Sequence, residues 1–150
     1  MDLFASDSNH RCEQFISRIA SEKACGRDAF LHDWGKMGKV FACPPPKLIT
    51  AVLRQFVACE AQGGLIIPHW VSMYAWPLIC QDGRHLNRLF RSVKAVRPLL
   101  RKGEHVKSQV FSGFTPFKFL SLEVDGRVPW PFESKISREF CTEGGCALCT

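Results

Sequence analysis

A thiol set against three prolines is the most distinctive chemical feature of the chain. Cys43 follows the apolar run Val40-Phe41-Ala42 and precedes Pro44, Pro45 and Pro46. Prolines restrict the backbone, so a functional group at this position would be presented rigidly. Cysteine attacks as its thiolate, which needs a neighbouring base or positive charge to form. His69, just beyond the next apolar run, is a histidine that could reach the same edge of a sheet. Against the nucleophile stands the ordinary role of a lone cysteine beside an apolar stretch, that of a small core side chain, and Cys43 is expected to be buried. Near the other end, Cys141, Cys146 and Cys149 have a C-x4-C-x2-C spacing around Gly144-Gly145. Three thiolates could take part in a zinc site. No histidine follows His105 and no fourth ligand is near, so no metal is expected, and residues 127–150 read as an irregular or disordered tail.

Basic residues form the second candidate constellation. Between Arg84 and Arg138 there are twelve Lys or Arg against four acids, although the whole chain carries only +6. Arg84, Arg88 and Arg91 would share one face of a helix whose apolar contacts are Leu86, Leu89 and Phe90. Lys94, Arg97, Arg101 and Lys102 continue the series. Such a surplus suits an anionic partner, and nucleic acid is the expected one.

The elements that would position these groups follow from composition and periodicity. With 150 residues, 46% hydrophobic and 23% charged, the chain can form one domain with its own core and is not a disordered polymer. Its longest apolar runs fall short of the ~18 residues that a membrane-spanning helix needs, so no membrane partner is expected. The opening Met1-Asp2-Leu3-Phe4-Ala5-Ser6-Asp7 has no basic-then-apolar leader, which points to an intracellular protein, nuclear or cytoplasmic. Five cysteines (Cys12, Cys25, Cys43, Cys59, Cys80) are scattered singly, in the manner of reduced thiols packed as small core residues. No P-loop, dinucleotide glycine fingerprint, Ser-His-Asp arrangement or paired-aspartate polymerase motif is present.

Val40 to Cys43 reads as a short buried strand. Leu48, Ile49, Val52, Leu53, Phe56 and Val57 then recur at helical spacing, with Pro45 and Pro46 introducing the helix and Gly63-Gly64 stopping it. Leu65 to Pro68 is a second strand. A strand–helix–strand unit implies parallel strands and a right-handed crossover, so Cys43–Pro46 and Pro68–Trp70 would share one rim. Upstream, Phe15, Ile16 and Ile19 suggest a brief helix, and Gly35–Lys39 a turn-like basic connector. Downstream, Trp70, Tyr74 and Trp76 cluster before a turn at Gln81-Asp82-Gly83; Val93–Leu99, Val106–Phe111 and Phe117–Val124 read as strands.

These landmarks carry a resemblance. Asp2-Leu3-Phe4-Ala5-Ser6, Asn9, Cys12, Phe15-Ile16-Ser17, Asp28-Ala29-Phe30 and Asp33-Trp34 occur in order before Cys43-Pro44-Pro45-Pro46. This resembles the methyltransferase-like segment that follows the reverse transcriptase and RNase H regions in DIRS-type retrotransposons of animals. That segment in turn is similar to phage-type DNA adenine methyltransferases. The resemblance runs from about Asp2 to Gly126, including Trp76-Pro77-Leu78 and Asp82-Gly83. It implies an α/β, Rossmann-like domain over residues 1–126 with a mostly parallel sheet and S-adenosylmethionine lying across the carboxyl rim. Asp2, Phe4 and Ser6 would line the cofactor site. Asp28 would contact adenine or ribose beside Phe30, and Asp33-Trp34 would cap and pack the following turn.

The resemblance also exposes two departures. In the methyltransferases the loop is Asn-Pro-Pro-Tyr, whose Asn accepts hydrogen bonds from the target adenine's amine and whose Tyr stacks on the extruded base. Here Cys43 and Pro46 occupy those places. A thiol is a weak acceptor and proline has no aromatic face. The chain also begins at the Asp-Leu-Phe motif, so an N-terminally truncated sheet lacking its first strand and preceding helix is expected, with an exposed edge. The implied function is a retrotransposon-derived, catalytically degenerate methyltransferase-like domain that grips nucleic acid, DNA ahead of RNA, alongside other element-encoded domains. The alternative is an active S-adenosylmethionine-dependent DNA adenine methyltransferase.

Overall fold

The computed structural model describes residues 1–96 and 118–130. Seven strands make one mixed sheet: β1 (Asp2–Ala5), β2 (Phe15–Ser17), β3 (Gly26–Arg27), β4 (Lys39–Ala42), β5 (Gln62–Pro68), β6 (Phe90–Val96) and β7 (Phe119–Asp125). Their order is β3-β2-β1-β4-β5-β7-β6. The five strands from β3 to β5 are mutually parallel, and β7 runs antiparallel to both β5 and β6. The helices are few: α1 (Ile49–Ala58), the single turn α2 (Trp76–Ile79) and three short 3-10 turns. The architecture is α/β and Rossmann-like, its parallel part following the doubly wound order 3-2-1-4-5.

The expected central unit is present, with shifted limits. Ile49, Val52, Leu53 and Phe56 of α1 are buried in one core with Val40 and Ala42 of β4, Leu65 and Ile67 of β5, and Leu120, Leu122 and Val124 of β7. The helix stops before the glycines assigned to end it. Cys59 N–H still bonds to the Gln55 carbonyl, and Glu60 takes the left-handed turn at φ 50°. Gly63 and Gly64 already belong to β5. A Cβ at Gly63 would lie 1.9 Å from the Val40 carbonyl oxygen, so the glycine serves the close approach of β5 to β4 and not a helix stop.

Three expectations are corrected. Phe15 and Ile16 lie in a strand and not a helix: Phe15, Ile16 and Ser17 are all buried between β1 and β3, while Ile19, the third member of the supposed helical face, is 76% exposed. Asp2–Ala5 is itself an inner strand, paired with β2 on one side and β4 on the other, so the exposed edge expected from a missing first strand does not arise there. Arg84, Arg88 and Arg91 do not share a helix. Asp82 accepts from the backbone N–H groups of Arg84 (2.9 Å) and His85 (2.7 Å), folding the segment into a turn, and Arg91 lies on β6. Of the remaining strand assignments, Val93–Leu99 begins earlier, at Phe90, and is described only to Val96. Phe117–Val124 becomes Phe119–Asp125, and Val106–Phe111 lies outside the described residues. Beyond β7, Val128 and Trp130 pack against the core, and the Arg54 guanidinium lies 5.8 Å from the Trp130 ring.

The outer strand β6 is tied to β7 by a charged clamp. The buried Asp125 carboxylate accepts from Arg91 Nε (2.7 Å) and Nη2, and from Arg127 Nε (2.8 Å) and Nη2 (2.9 Å). The Arg127 hydrogen bonds, and then those from Arg91, hold its pKa well below the usual carboxylate range against the opposing effect of burial. Stabilisation from a depressed carboxylate is complete above the unfolded-state value and is lost as pH falls below about 4. Asp125→Asn therefore lowers the unfolding temperature at pH 7 and flattens its decline between about pH 4 and pH 2, read by circular dichroism melts. Phe56→Ala, emptying the centre of the helix–sheet core, costs about 3–5 kcal/mol in denaturant unfolding.

Candidate functional site at the β1–β4 rim

Strand order reverses once in the parallel part of the sheet. From β1 the chain moves outward through β2 and β3, then returns to β4 on the other side of β1 and continues to β5. At such a reversal the loops leaving adjacent strands diverge to opposite sides and leave a crevice at the carboxyl ends. Ser6 follows β1 and Cys43 follows β4, so the two candidate segments meet at that point.

Each side is fixed locally. Ser6 N–H donates to Asn9 Oδ1 (2.7 Å), and the N–H groups of Asn9 and His10 return to the Ser6 carbonyl, closing a tight turn after β1. Asp2 is only 3% exposed, and its carboxylate accepts the Arg11 N–H (2.9 Å), pinning that same loop back onto the strand. On the β4 side, Pro44 is buried while Cys43, Pro45 and Pro46 are exposed, and Leu48 N–H bonds to the Pro45 carbonyl. The stiff, apolar loop is therefore anchored at Pro44.

Phe4, Asp28 and Phe30 converge despite their separation in sequence. Asp28, at φ 55°, caps the turn Ala29–Leu31 by accepting from Phe30 N–H (3.1 Å). The Phe4 and Phe30 rings meet edge-on at 5.7 Å, and both contact Trp34, at 6.4 and 6.0 Å. Asp33 caps the next turn, accepting from Gly35 N–H (3.1 Å), so the expected cap-and-pack role of Asp33-Trp34 describes the geometry.

Cys43 corrects the expectation of a buried structural cysteine: it is exposed at the rim, because the prolines carry the chain outward as β4 ends. None of Cys12, Cys25, Cys43, Cys59 and Cys80 is fully buried, and all five are free thiols. Although the Cys43 residue is open to solvent, enough protein surrounds its sulfur that desolvation raises the thiol pKa. The Asp2 charge raises it further, and Arg11 only partly offsets the two. The sulfur stays protonated at neutral pH, the reverse of an activated nucleophile. The His69 ring lies against Trp76 at 5.3 Å, and its backbone N–H donates to the Lys118 carbonyl (2.8 Å).

The basic series is dispersed. Arg84 and Arg88 are exposed in the segment between α2 and β6, Arg91 is committed to Asp125, and Lys94 is exposed on β6. Arg97, Arg101 and Lys102 lie outside the described residues, as do Cys141, Cys146 and Cys149. At the rim itself stand three exposed cations that sequence reasoning passed over: Arg11 beside Asp2, Lys47 after the prolines, and Lys118 at the entrance to β7. Their signal was adjacency to motif residues and not clustering in sequence. Away from the rim, a cavity of about 450 Å³ opens on the sheet, with Lys39, Gln62, Gly64, Lys94, Ser121 and Glu123 among its lining. Among the described residues no group of three or more His, Cys, Asp or Glu is placed to hold a metal ion, and no helix is long and apolar enough to cross a membrane.

Fold and rim together define an α/β protein with a mostly parallel sheet whose strand order reverses between β1 and β4 among the described residues. No protein-family model, curated protein or solved structure matches the chain. The raised thiol gives a direct check on the rim geometry. The pH midpoint for alkylation of Cys43, followed by peptide mass spectrometry, lies above the ordinary thiol value of about 8.5, and Asp2→Asn moves it down.

Proposed function

We propose that this chain is a retrotransposon-derived, methyltransferase-like domain that binds nucleic acid and no longer transfers a methyl group. The observation that carries the reading is the meeting, at the single reversal of the parallel strands, of the Asp2–Ser6 segment with the Cys43–Pro46 loop. Those are the segments that the resemblance assigns to the cofactor and to the target base.

The chemistry at the rim argues for loss of catalysis. Transfer to an adenine amine needs a strong acceptor to orient that amine and a π-face to hold the extruded base. A protonated Cys43 is a poor acceptor, and Pro45 and Pro46 offer aliphatic ring faces only. S-adenosylmethionine also fits poorly. Phe4 and Phe30 form an apolar edge beside the exposed Asp28, but Asp2, the expected partner for the cofactor's polar groups, is buried and engaged by Arg11 N–H.

Nucleic-acid binding rests on charge. Arg11, Lys47 and Lys118 are exposed beside the rim segments, and the sequence between Val96 and Lys118 holds Arg97, Arg101, Lys102 and Lys107 against Glu104. Phosphate contacts of this kind give affinity with little sequence preference. DNA inside the cell, nuclear or cytoplasmic, is the partner we favour, with other element-encoded domains alongside.

Two measurements on the full chain test the reading. Binding to DNA is expected to weaken steeply with salt, its logarithm falling linearly with log salt. Thermal unfolding is expected not to move with S-adenosylmethionine, which at a hundred-fold excess over Kd would add about 2.7 kcal/mol to a competent binder. Methyl transfer to DNA that is abolished by Asp28→Ala would establish the active adenine methyltransferase instead, and absence of DNA binding at low salt would remove the nucleic-acid reading.

A further inference from the structure

We propose that the turn following β5 is a stacking platform for unpaired nucleobases, so that the domain prefers single-stranded nucleic acid to duplex. The inference rests on the nucleic-acid reading above and specifies its substrate. Its centre is Tyr74, 92% exposed, with Val71, 64% exposed, in the same turn. A large aromatic so fully in water gains nothing from folding.

The backbone nevertheless holds Tyr74 in place. Met73 N–H bonds to the Trp70 carbonyl (3.0 Å) and Trp76 N–H to the Met73 carbonyl (2.9 Å), making two successive turns. Met73 packs against the core and Ala75 is buried within it, so the residues on either side of Tyr74 are anchored while its ring stands outside. A tyrosine carried this way loses little freedom when a ring stacks on it. Trp76 and His69 add a second aromatic surface, their rings 5.3 Å apart and inclined by 35°.

Location supplies the charge. His69 N–H donates to the Lys118 carbonyl, so the aromatic turn begins against an exposed lysine. The turn leaves the carboxyl end of β5, and β5 is the direct neighbour of β4, which leads into Cys43–Pro46. Aromatic faces beside cationic side chains such as the exposed Lys118 are the combination that binds single strands, because every base has a π-face and only an unpaired base exposes it. A duplex offers the same phosphates but keeps its bases stacked internally. The proline loop lacks an aromatic face, and Tyr74 supplies one in the turn after the adjacent strand.

The test uses the full chain, a fluorescent oligothymidylate, a duplex of equal length, and the variants Tyr74→Ala and Tyr74→Phe. At 92% exposure neither substitution should alter the melting temperature, which is measured alongside. The expected result is tighter binding to the single strand than to the duplex. Tyr74→Ala weakens single-strand binding about five-fold or more, leaves duplex binding unchanged, and Tyr74→Phe retains wild-type affinity. Equal affinities for the two forms, or an unaltered single-strand affinity in Tyr74→Ala, overturn the platform while leaving nucleic-acid binding intact. Failure to bind either form at low salt overturns both.

Discussion

The Trp34 indole joins parts of the molecule that would otherwise be independent. It is fully buried, its Nε1–H donates to the Ala29 carbonyl (2.8 Å), and its ring meets Phe56 of α1 edge-on at 5.2 Å. On its other sides it contacts Phe4 of β1 and Phe30 of the turn after β3. One side chain thus links the helix core, the central strand and the outer loop of the parallel sheet. Aromatic groups of this size dominate the apolar burial of a small domain, and the paired indole N–H removes the penalty of hiding a polar atom. The convergence of Phe4, Asp28 and Phe30 depends on that anchor.

Close backbone packing supplies a complementary constraint. Gly63 lets β5 approach the Val40 carbonyl, and Gly126 sits where a Cβ would lie 1.9 Å from the Phe56 carbonyl oxygen. Together they draw β4, β5, α1 and the end of β7 tightly around the same core. The rim is then the natural place for variable chemistry, because its loops hang from strands whose positions are already determined. What hangs there is a protonated thiol, two exposed proline rings and exposed cationic side chains.

Several features were legible in the residues themselves. The strand–proline–helix–strand unit could be read from local periodicity, and the helix face Ile49, Val52, Leu53, Phe56 is the buried one. Asp33 could be read as a cap because its carboxylate bonds two residues on, a purely local act. The reading failed where pattern length was insufficient. Phe15–Ser17 is three residues long, too short for a period of two to be told from one of 3.6, and its burial comes from strands on both sides. The basic helix failed for a related reason: arginines at regular spacing look like one face, whereas an aspartate accepting two nearby N–H groups makes a turn of the same segment.

By itself the amino-acid order determined the α/β class, the central parallel pair, and the absence from the proline loop of both a strong acceptor and an aromatic ring. These are matters of residue type and of interactions within a few positions. Only the tertiary structure decided the inner place of β1, the exposure of Cys43, the commitment of Arg91 to Asp125, and the gathering of Arg11, Lys47 and Lys118 at one rim. Arg91 and Asp125 are 34 residues apart, and nothing local to either encodes the other. Their pairing follows from the antiparallel register of β6 on β7, which exists only once the sheet has formed.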